Sequence, residues 1–256
     1  MAFANTYADD VRAESYARLE FPGTYHLAFR DLPGLLGPGR APALDFGCGA
    51  GRSTRFLKGL GFRAEGVDIS EAMLARARER DPEGLYWRVP DGDLSALAGG
   101  RYRRILSAFT FDNVSVEAKP RLLAHLARLL APGGRLLNLV SSEELYRREW
   151  ASFSTAPFPG NRDPAPGDLV HTIMKDVADA RPVPDIFCPE REYLRLYADA
   201  GLARVAAHRP LGRREEPFAW ISELETAPWR IDVLERIPPP EPAAVGRLWG
   251  VRYGPC

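Results

Sequence analysis

The residues best suited to chemistry lie in Leu44-Asp45-Phe46-Gly47-Cys48-Gly49-Ala50-Gly51-Arg52-Ser53, where an apolar run ends in alternating glycines and passes into a helical pattern. Glycine tolerates positive φ in a tight turn and lets a ligand approach the backbone without meeting a side chain. A strand, a glycine turn and a helix in that order make a ligand cradle. The dinucleotide fingerprint G-x-G-x-x-G requires glycine at position 52, and this chain has Arg52 there. Cys48 has no His or second Cys nearby in sequence, so it is expected to contribute backbone and to keep an inert thiol.

Asp112 and Asn113 follow the fourth apolar run, at the carboxyl edge where open α/β sheets place their ligands. They are candidates to contact a reacting group, and their plainer role is to cap the next turn. His171 lies in a long irregular segment of the kind that closes over substrates, which makes it a candidate base or substrate ligand. His125 sits beside Leu122 and Leu126 on a leucine-rich helix, where a structural histidine is expected; His26 and His208 belong to no motif. Arg147, Arg148, Arg162 and Arg181 would suit an anion pocket, although such charges are more often solvated faces. Trp150, Phe153 and Phe158 serve either as core or as an aromatic wall, and the sequence does not separate these uses.

The elements that position these residues alternate between short apolar runs and helical stretches, the pattern of a parallel sheet covered by crossover helices. The runs are Ala43 to Cys48, Arg63 to Asp68, Leu85 to Val89, Arg104 to Phe109 and Arg135 to Ser141. Val116 to Leu130 carries leucines at helical spacing and stops at Ala131-Pro132-Gly133-Gly134. Ser142 to Cys188 lacks strong periodicity and far exceeds the usual loop of about 4 to 6 residues, so it is expected to be an inserted lid. Pro189 to Gly201 is expected to form a helix, and Ala203 to Leu211 and Trp229 to Ile237 strands. Two helical stretches, Asp9 to Glu20 and Thr24 to Leu36, precede the first strand. The expected organisation is a helical cap over 1–40, an α/β core over 41–141 and 189–237, the lid over 142–188 and a Pro-rich tail over 238–256.

The chain has 256 residues, with 34 Lys plus Arg balanced by 34 Asp plus Glu, so no global field draws it to nucleic acid or an anionic membrane. No apolar run approaches the roughly 20 residues a spanning helix needs, and the N-terminus reads as neither leader nor signal, which makes cytoplasm the default compartment. Cys48, Cys188 and Cys256 show no metal-type or redox-type spacing, so neither a disulfide nor a bound metal is expected.

The segment around Asp45 resembles motif I of class I S-adenosylmethionine-dependent methyltransferases, in which an acidic residue precedes three alternating glycines. Gly66-Val67-Asp68-Ile69-Ser70 is similar to that family's second-strand motif, Asp91-Gly92-Asp93-Leu94 stands where members hold adenine, Ser107 to Phe111 ends the fourth strand, and Leu129 to Arg135 resembles the turn into strand five. The resemblance implies an α/β fold with a seven-stranded, mostly parallel sheet, its last strand reversed, helices on both faces and the insert after strand five. It also implies S-adenosylmethionine as cofactor, S-adenosylhomocysteine as product, and in-line methyl transfer to O or N of a small metabolite. By the same resemblance Asp68 accepts from the ribose hydroxyls and Asp93 faces the exocyclic amine. Gly47 and Gly49 approach the methionine part, Tyr16 and Arg30 cover its carboxylate, and Asp45, Cys48, Ile69, Met73, Gly92, Leu94 and Phe109 complete the cofactor site. The strand-four signature of amino-directed nucleic-acid methyltransferases is missing from Phe111-Asp112-Asn113-Val114. Two alternatives stay open: a nicotinamide-dependent oxidoreductase, which Arg52 disfavours, and a protein that binds the cofactor without transferring its methyl group.

Overall fold

The computed structural model describes residues 10–237, with side chains from Glu14 onward; the expected tail over 238–256 lies outside the described residues. Three helices come first: α1 (Asp10–Ala17), α2 (Gly23–Arg30) and α3 (Leu32–Leu36). The single helix expected over Thr24 to Leu36 is divided at Asp31. Pro33 supplies no backbone N–H, which favours restarting a helix there over continuing one. The core then runs β1 (Pro42–Phe46), α4 (Arg52–Gly59), β2 (Arg63–Asp68), α5 (Glu71–Arg80), β3 (Leu85–Arg88), β4 (Tyr102–Ala108), α6 (Lys119–Leu129) and β5 (Leu130–Ser141). Ala131 to Gly134, expected as a turn, is absorbed into β5. Pairing with β4 slips between Tyr102 and Arg104, and Gly133 takes φ 66° to absorb the irregularity.

The insert is more regular than its sequence suggests. It carries a small antiparallel sheet of β6 (Phe153–Ser154), β7 (Leu169–Met174) and β8 (Val183–Ile186). The signal was a six-residue run containing Val170, Thr172 and Ile173, whose burial alternates along β7, too short to stand out between proline-rich loops. α7 (Glu190–Asp199), β9 (Leu202–His208) and β10 (Trp229–Arg236) return to the main sheet.

That sheet has seven strands in the order β3-β2-β1-β4-β5-β10-β9. β10 pairs antiparallel with both β5 and β9, while the pairs from β3 through β5 are parallel. Successive side chains therefore feed opposite cores. Ala43, Leu137 and Leu139 pack with α2 and α3, whereas Leu44, Leu136 and Val140 pack with Leu122 and Leu126 of α6 and Tyr193 and Leu196 of α7. Leu27 and Leu32 of the N-terminal helices and Trp150 and Phe153 of the insert belong to the first of these clusters.

Thr24 ties cap, insert and sheet together. Its hydroxyl donates to Glu223 Oε1 (2.6 Å) and accepts from Ser152 N, its amide donates to Ser152 Oγ, and its carbonyl accepts from Trp229 Nε1 (2.7 Å). The fully buried Glu223 carboxylate also accepts from the amides of Ala151, Ile221 and Ser222. Removing one acceptor that serves four buried or half-buried donors costs more than a single hydrogen bond. Glu223→Ala should therefore lower unfolding free energy by about 3 kcal/mol in urea titration; a loss under about 1 kcal/mol would mean that this network does not anchor the cap.

Candidate functional site

The turns after β1, β2 and β3 shape one end of a deep cleft at the carboxyl edge of the sheet. Gly47 (φ 73°), Gly49 (φ 52°) and Gly51 (φ 77°) carry the chain from β1 into α4. A Cβ on Gly47 would lie inside the Thr110 side chain, so this approach admits only glycine. The Gly49 amide donates to Asp68 Oδ2 (2.8 Å), and the Ser70 amide donates to Asp68 Oδ1 (2.8 Å). Asp68 faces the cleft; burial raises its pKa while the amides of Ser70, Gly49 and Ile69 oppose the rise. Beneath the turn, fully buried Asp45 accepts from Ser53 Oγ (2.7 Å) and Thr54 Oγ1 (2.6 Å), while its Oδ1 has no hydrogen-bond partner. Burial pushes the Asp45 carboxyl up to about 6, against the two hydroxyl bonds.

The other end is built by β4, β5, β10, the cap and the insert. Phe109 takes φ 62°, a left-handed conformation rare for a bulky residue. Its ring lies 4.7 Å from that of Trp229 and 5.6 Å from that of Tyr25, and Phe153 packs edge-on to Trp229 at 5.5 Å. Asp112, in a short turn Phe111–Asn113, accepts from Ser141 N (3.0 Å) and Ser141 Oγ (2.9 Å) through Oδ2. Burial carries Asp112 up to about 6, opposed by Ser141 and by the charges of Lys119 and Arg230. Asp185, on β8, is held well above the usual carboxylate range by burial and then by Asp112. The cleft encloses about 1230 Å3, mouth included.

Of the residues singled out from sequence, the cleft brings together Tyr16, Gly47, Gly49, Asp68, Ile69, Met73, Gly92, Phe109, Asp112 and Asn113. Six others do not line it. His171 is on β7, where period-two alternation turns its neighbours Thr172 and Met174 to the cleft; its own ring packs on Phe158 at 5.5 Å. Arg30 is bound by Asp31 (2.8 Å) and Glu216 (2.6 Å) outside the cleft. Asp93 is exposed and accepts from the Ser95 amide (2.9 Å), a local turn bond. Leu94 is buried with its amide toward His125 Nδ1, Cys48 is buried behind the glycine turn with its thiol pushed up by burial, and Asp45 lies one layer below. Arg147 and Arg148 pair with Glu144, and Arg181 pairs with Asp179.

Trp229, Tyr25, Ser141, Thr172 and Asp185 are cleft residues that sequence reasoning missed. Only Thr172 had a usable signal, the alternation along β7. Arg52, which replaces a fingerprint glycine, donates to the Glu20 carbonyl (2.7 Å) and lies 5.1–5.6 Å from the rings of Tyr16, Phe21, Tyr25 and Phe29. It fastens the cap over the glycine turn through cation–π contacts.

A doubly wound sheet with its last strand reversed, and a glycine turn held by the carboxylate of the next strand, are the arrangement of the class I, Rossmann-like methyltransferase fold. Residues 43–134 match the family model described as a methyltransferase domain. Demethylmenaquinone methyltransferase of Tropheryma whipplei is 39% identical over 97 residues, 37% of this chain and 39% of that protein. Ribosomal RNA small subunit methyltransferase C of Alcanivorax borkumensis is 31% identical over 140 residues, 53% of this chain and 42% of that protein. The chain thus spans about two-fifths of the length of these curated relatives. Among solved structures, an S-adenosylmethionine-dependent methyltransferase of Mesorhizobium loti superposes with TM-score 0.58 at 20% identity, over 82% of this chain and 98% of that one. The glycopeptide N-methyltransferase MtfA complexed with sinefungin superposes with TM-score 0.61 at 17% identity, over 86% and 95%. Residues 43–134 thus match a methyltransferase domain, and the fold around them is that of solved S-adenosylmethionine-dependent methyltransferases.

The groups that line the cleft suit S-adenosylmethionine: the Asp68 carboxylate for hydroxyl donors, and the cradle at Gly47 and Gly49, where a side chain on Gly47 would strike Thr110. Asp68→Ala should weaken S-adenosylmethionine binding by about 1 to 3 kcal/mol; unchanged affinity in calorimetry would remove Asp68 from the site. Asp45 supplies a pH test. Its folded-state pKa of about 6 lies above the ordinary value of 3.8, so between those values the folded state holds a proton that the unfolded state has lost. Stability then falls as pH rises from about 4 to about 6. Asp45→Asn should flatten that fall by up to about 3 kcal/mol, read from urea unfolding at both ends of the window; an unaltered slope would mean that Asp45 is not the titrating group.

Proposed function

We propose that this chain transfers the methyl group of S-adenosylmethionine to a nitrogen or oxygen of a small molecule. The observation that carries this reading is one continuous cleft that joins the glycine cradle and Asp68 to a compartment walled by Tyr25, Phe109, Phe153 and Trp229. When bound, the cofactor supplies an activated methyl group on a cationic sulfur. Everything else falls to the protein. Asp68 and the glycine turn fix the donor, and the aromatic compartment holds an acceptor in line with it, which converts a bimolecular reaction into an effectively unimolecular one.

Exclusion of water follows from the roof, because Tyr16 and Tyr25 of the cap and Phe153 and Met174 of the insert close over the sheet edge. A dry site favours a displacement in which positive charge is spread and lost, and it keeps hydrolysis out. Asp112 is placed to take a proton from an acceptor, with its pKa of about 6 close to neutral pH. The balanced charge of the chain and the enclosed aromatic roof support a small acceptor over a polymeric anion. No helix among the described residues is long and apolar enough to cross a membrane.

Calorimetric titration with S-adenosylmethionine, S-adenosylhomocysteine and NADH tests the reading. The first two should bind in the micromolar range, with NADH silent; binding of NADH alone would overturn it. Turnover with any acceptor should survive His171→Ala nearly intact, since that ring faces Phe158 and not the cleft.

A further inference from the structure

The acceptor end of the cleft contains polar groups of one electrostatic kind. Asp112 and Asp185 both line it, 5% and 9% exposed. Ser141 holds Oδ2 of Asp112, and the Tyr146 hydroxyl holds Oδ2 of Asp185 at 3.2 Å. Among the described residues, these are the hydrogen bonds of the two carboxyl groups, so Oδ1 of each is left for a ligand. Asn113 lines the same wall with its Nδ2 spent on the Phe109 carbonyl and its Oδ1 buried and unpaired. Thr172, 3% exposed, turns its side chain to this wall and has no hydroxyl partner among the described residues.

The cations nearby stand behind the wall and do not line the cleft. Lys119, on α6, donates to the Val114 carbonyl, and Arg230, on β10, donates to Asp232 (3.0 Å) and keeps a buried Nη2 without a hydrogen-bond partner; the charges of both act on Asp112 from behind. The other titratable groups behind the pair are Cys188 and Tyr193. The rings of Tyr25, Phe109, Phe153 and Trp229 line the same cleft. An anionic acceptor would meet two carboxyl groups and, among the described residues, no cation lining the cleft, whereas an ammonium would meet both carboxylates and several ring faces.

Resting on the methyl-transfer function proposed above, we infer that the acceptor is an amine, held as its ammonium by Asp112, Asp185 and Asn113 against the aromatic wall and deprotonated there by the carboxylate pair. The ammonium passes one proton to the pair. The freed nitrogen lone pair then forms the bond to the methyl carbon as the bond from that carbon to sulfur breaks, its electrons staying on sulfur. The product leaves as a methylated ammonium, and the pair returns its proton to solvent. Two buried carboxyl groups, one of whose charges raises the pKa of the other, share protons more readily than they both ionise, which suits a relay of one proton.

The test uses the full chain saturated with S-adenosylhomocysteine and three probes of similar shape: 2-phenylethylamine, 2-phenylethanol and 3-phenylpropionate. The amine should bind roughly tenfold or more tighter than the other two, with affinity rising from pH 5 to pH 7.5 as the pair ionises. Asp112→Asn and Asp185→Asn should each weaken the amine by roughly tenfold, with S-adenosylhomocysteine affinity within about twofold of wild type, which also reports that the variants fold. No amine binding, tighter binding of 3-phenylpropionate, or indifference of the amine to both substitutions overturns the inference. Failure of S-adenosylhomocysteine to bind the unmodified chain would instead sink the methyl-transfer reading itself.

Discussion

The site depends on the hydrogen bond from the Gly49 amide to the Asp68 carboxylate. A turn of three positive-φ glycines has little conformational preference of its own, and the entropy of ordering it must be met by something fixed. β2 meets it. Parallel pairing of Asp45 with Gly66 and Phe46 with Val67 brings Asp68 level with the turn, and the amides of Gly49 and Ser70 use one lone pair on each of its oxygens. Asp68 also lines the cleft, so the residue that shapes the cradle is part of the wall of the site.

The far end of the cleft obeys a different constraint. Its walls come from α2, β4, β6 and β10, segments that meet only when the chain is folded, and none of them closes the compartment alone. Thr24 and Glu223 join them through buried hydrogen bonds, and Arg52 clamps the cap to the first turn of α4. The strained backbone of Phe109 belongs to the same assembly: its amide is pinned to the Leu139 carbonyl, which turns the ring onto Trp229 and Tyr25. Strain of this kind persists only where surrounding contacts over-determine it.

These two constraints explain what the sequence disclosed. The strands, the glycine turn, Asp68 and the leucine-rich helix are local patterns, and local patterns can be read along the chain. The acceptor compartment is built from pairings between segments far apart in the chain, such as Tyr25 and Phe153 with Trp229, and no local signal marks Trp229 or Asp185. Side-chain commitments were equally hidden. Arg30 and Glu216 are 186 positions apart, so the partner that removes Arg30 from the cleft could not be foreseen, while Asp93 was lost to a bond only two residues away. His171 was placed in an irregular segment that in fact holds a strand, and a strand turns alternate residues to opposite sides, which sets its ring on Phe158 instead of in the cleft.

Charge placement connects the two ends. The chain is neutral overall, yet the carboxyl groups of Asp68, Asp112 and Asp185 all line one cleft, with Asp45 beneath its glycine turn. Burial raises the pKa of each, which is the stability cost of holding acids where water is scarce. A surface would screen such charges, whereas a low-dielectric cleft lets them act at full strength on a ligand. Cationic partners therefore gain from the arrangement twice, by direct attraction and by relieving the repulsion among the acids. Hydroxyl and ring groups of a ligand gain only hydrogen bonds and packing. The carboxyl groups that weaken the fold above their raised pKa values thus bias the cleft toward positively charged ligands, a preference that net composition conceals.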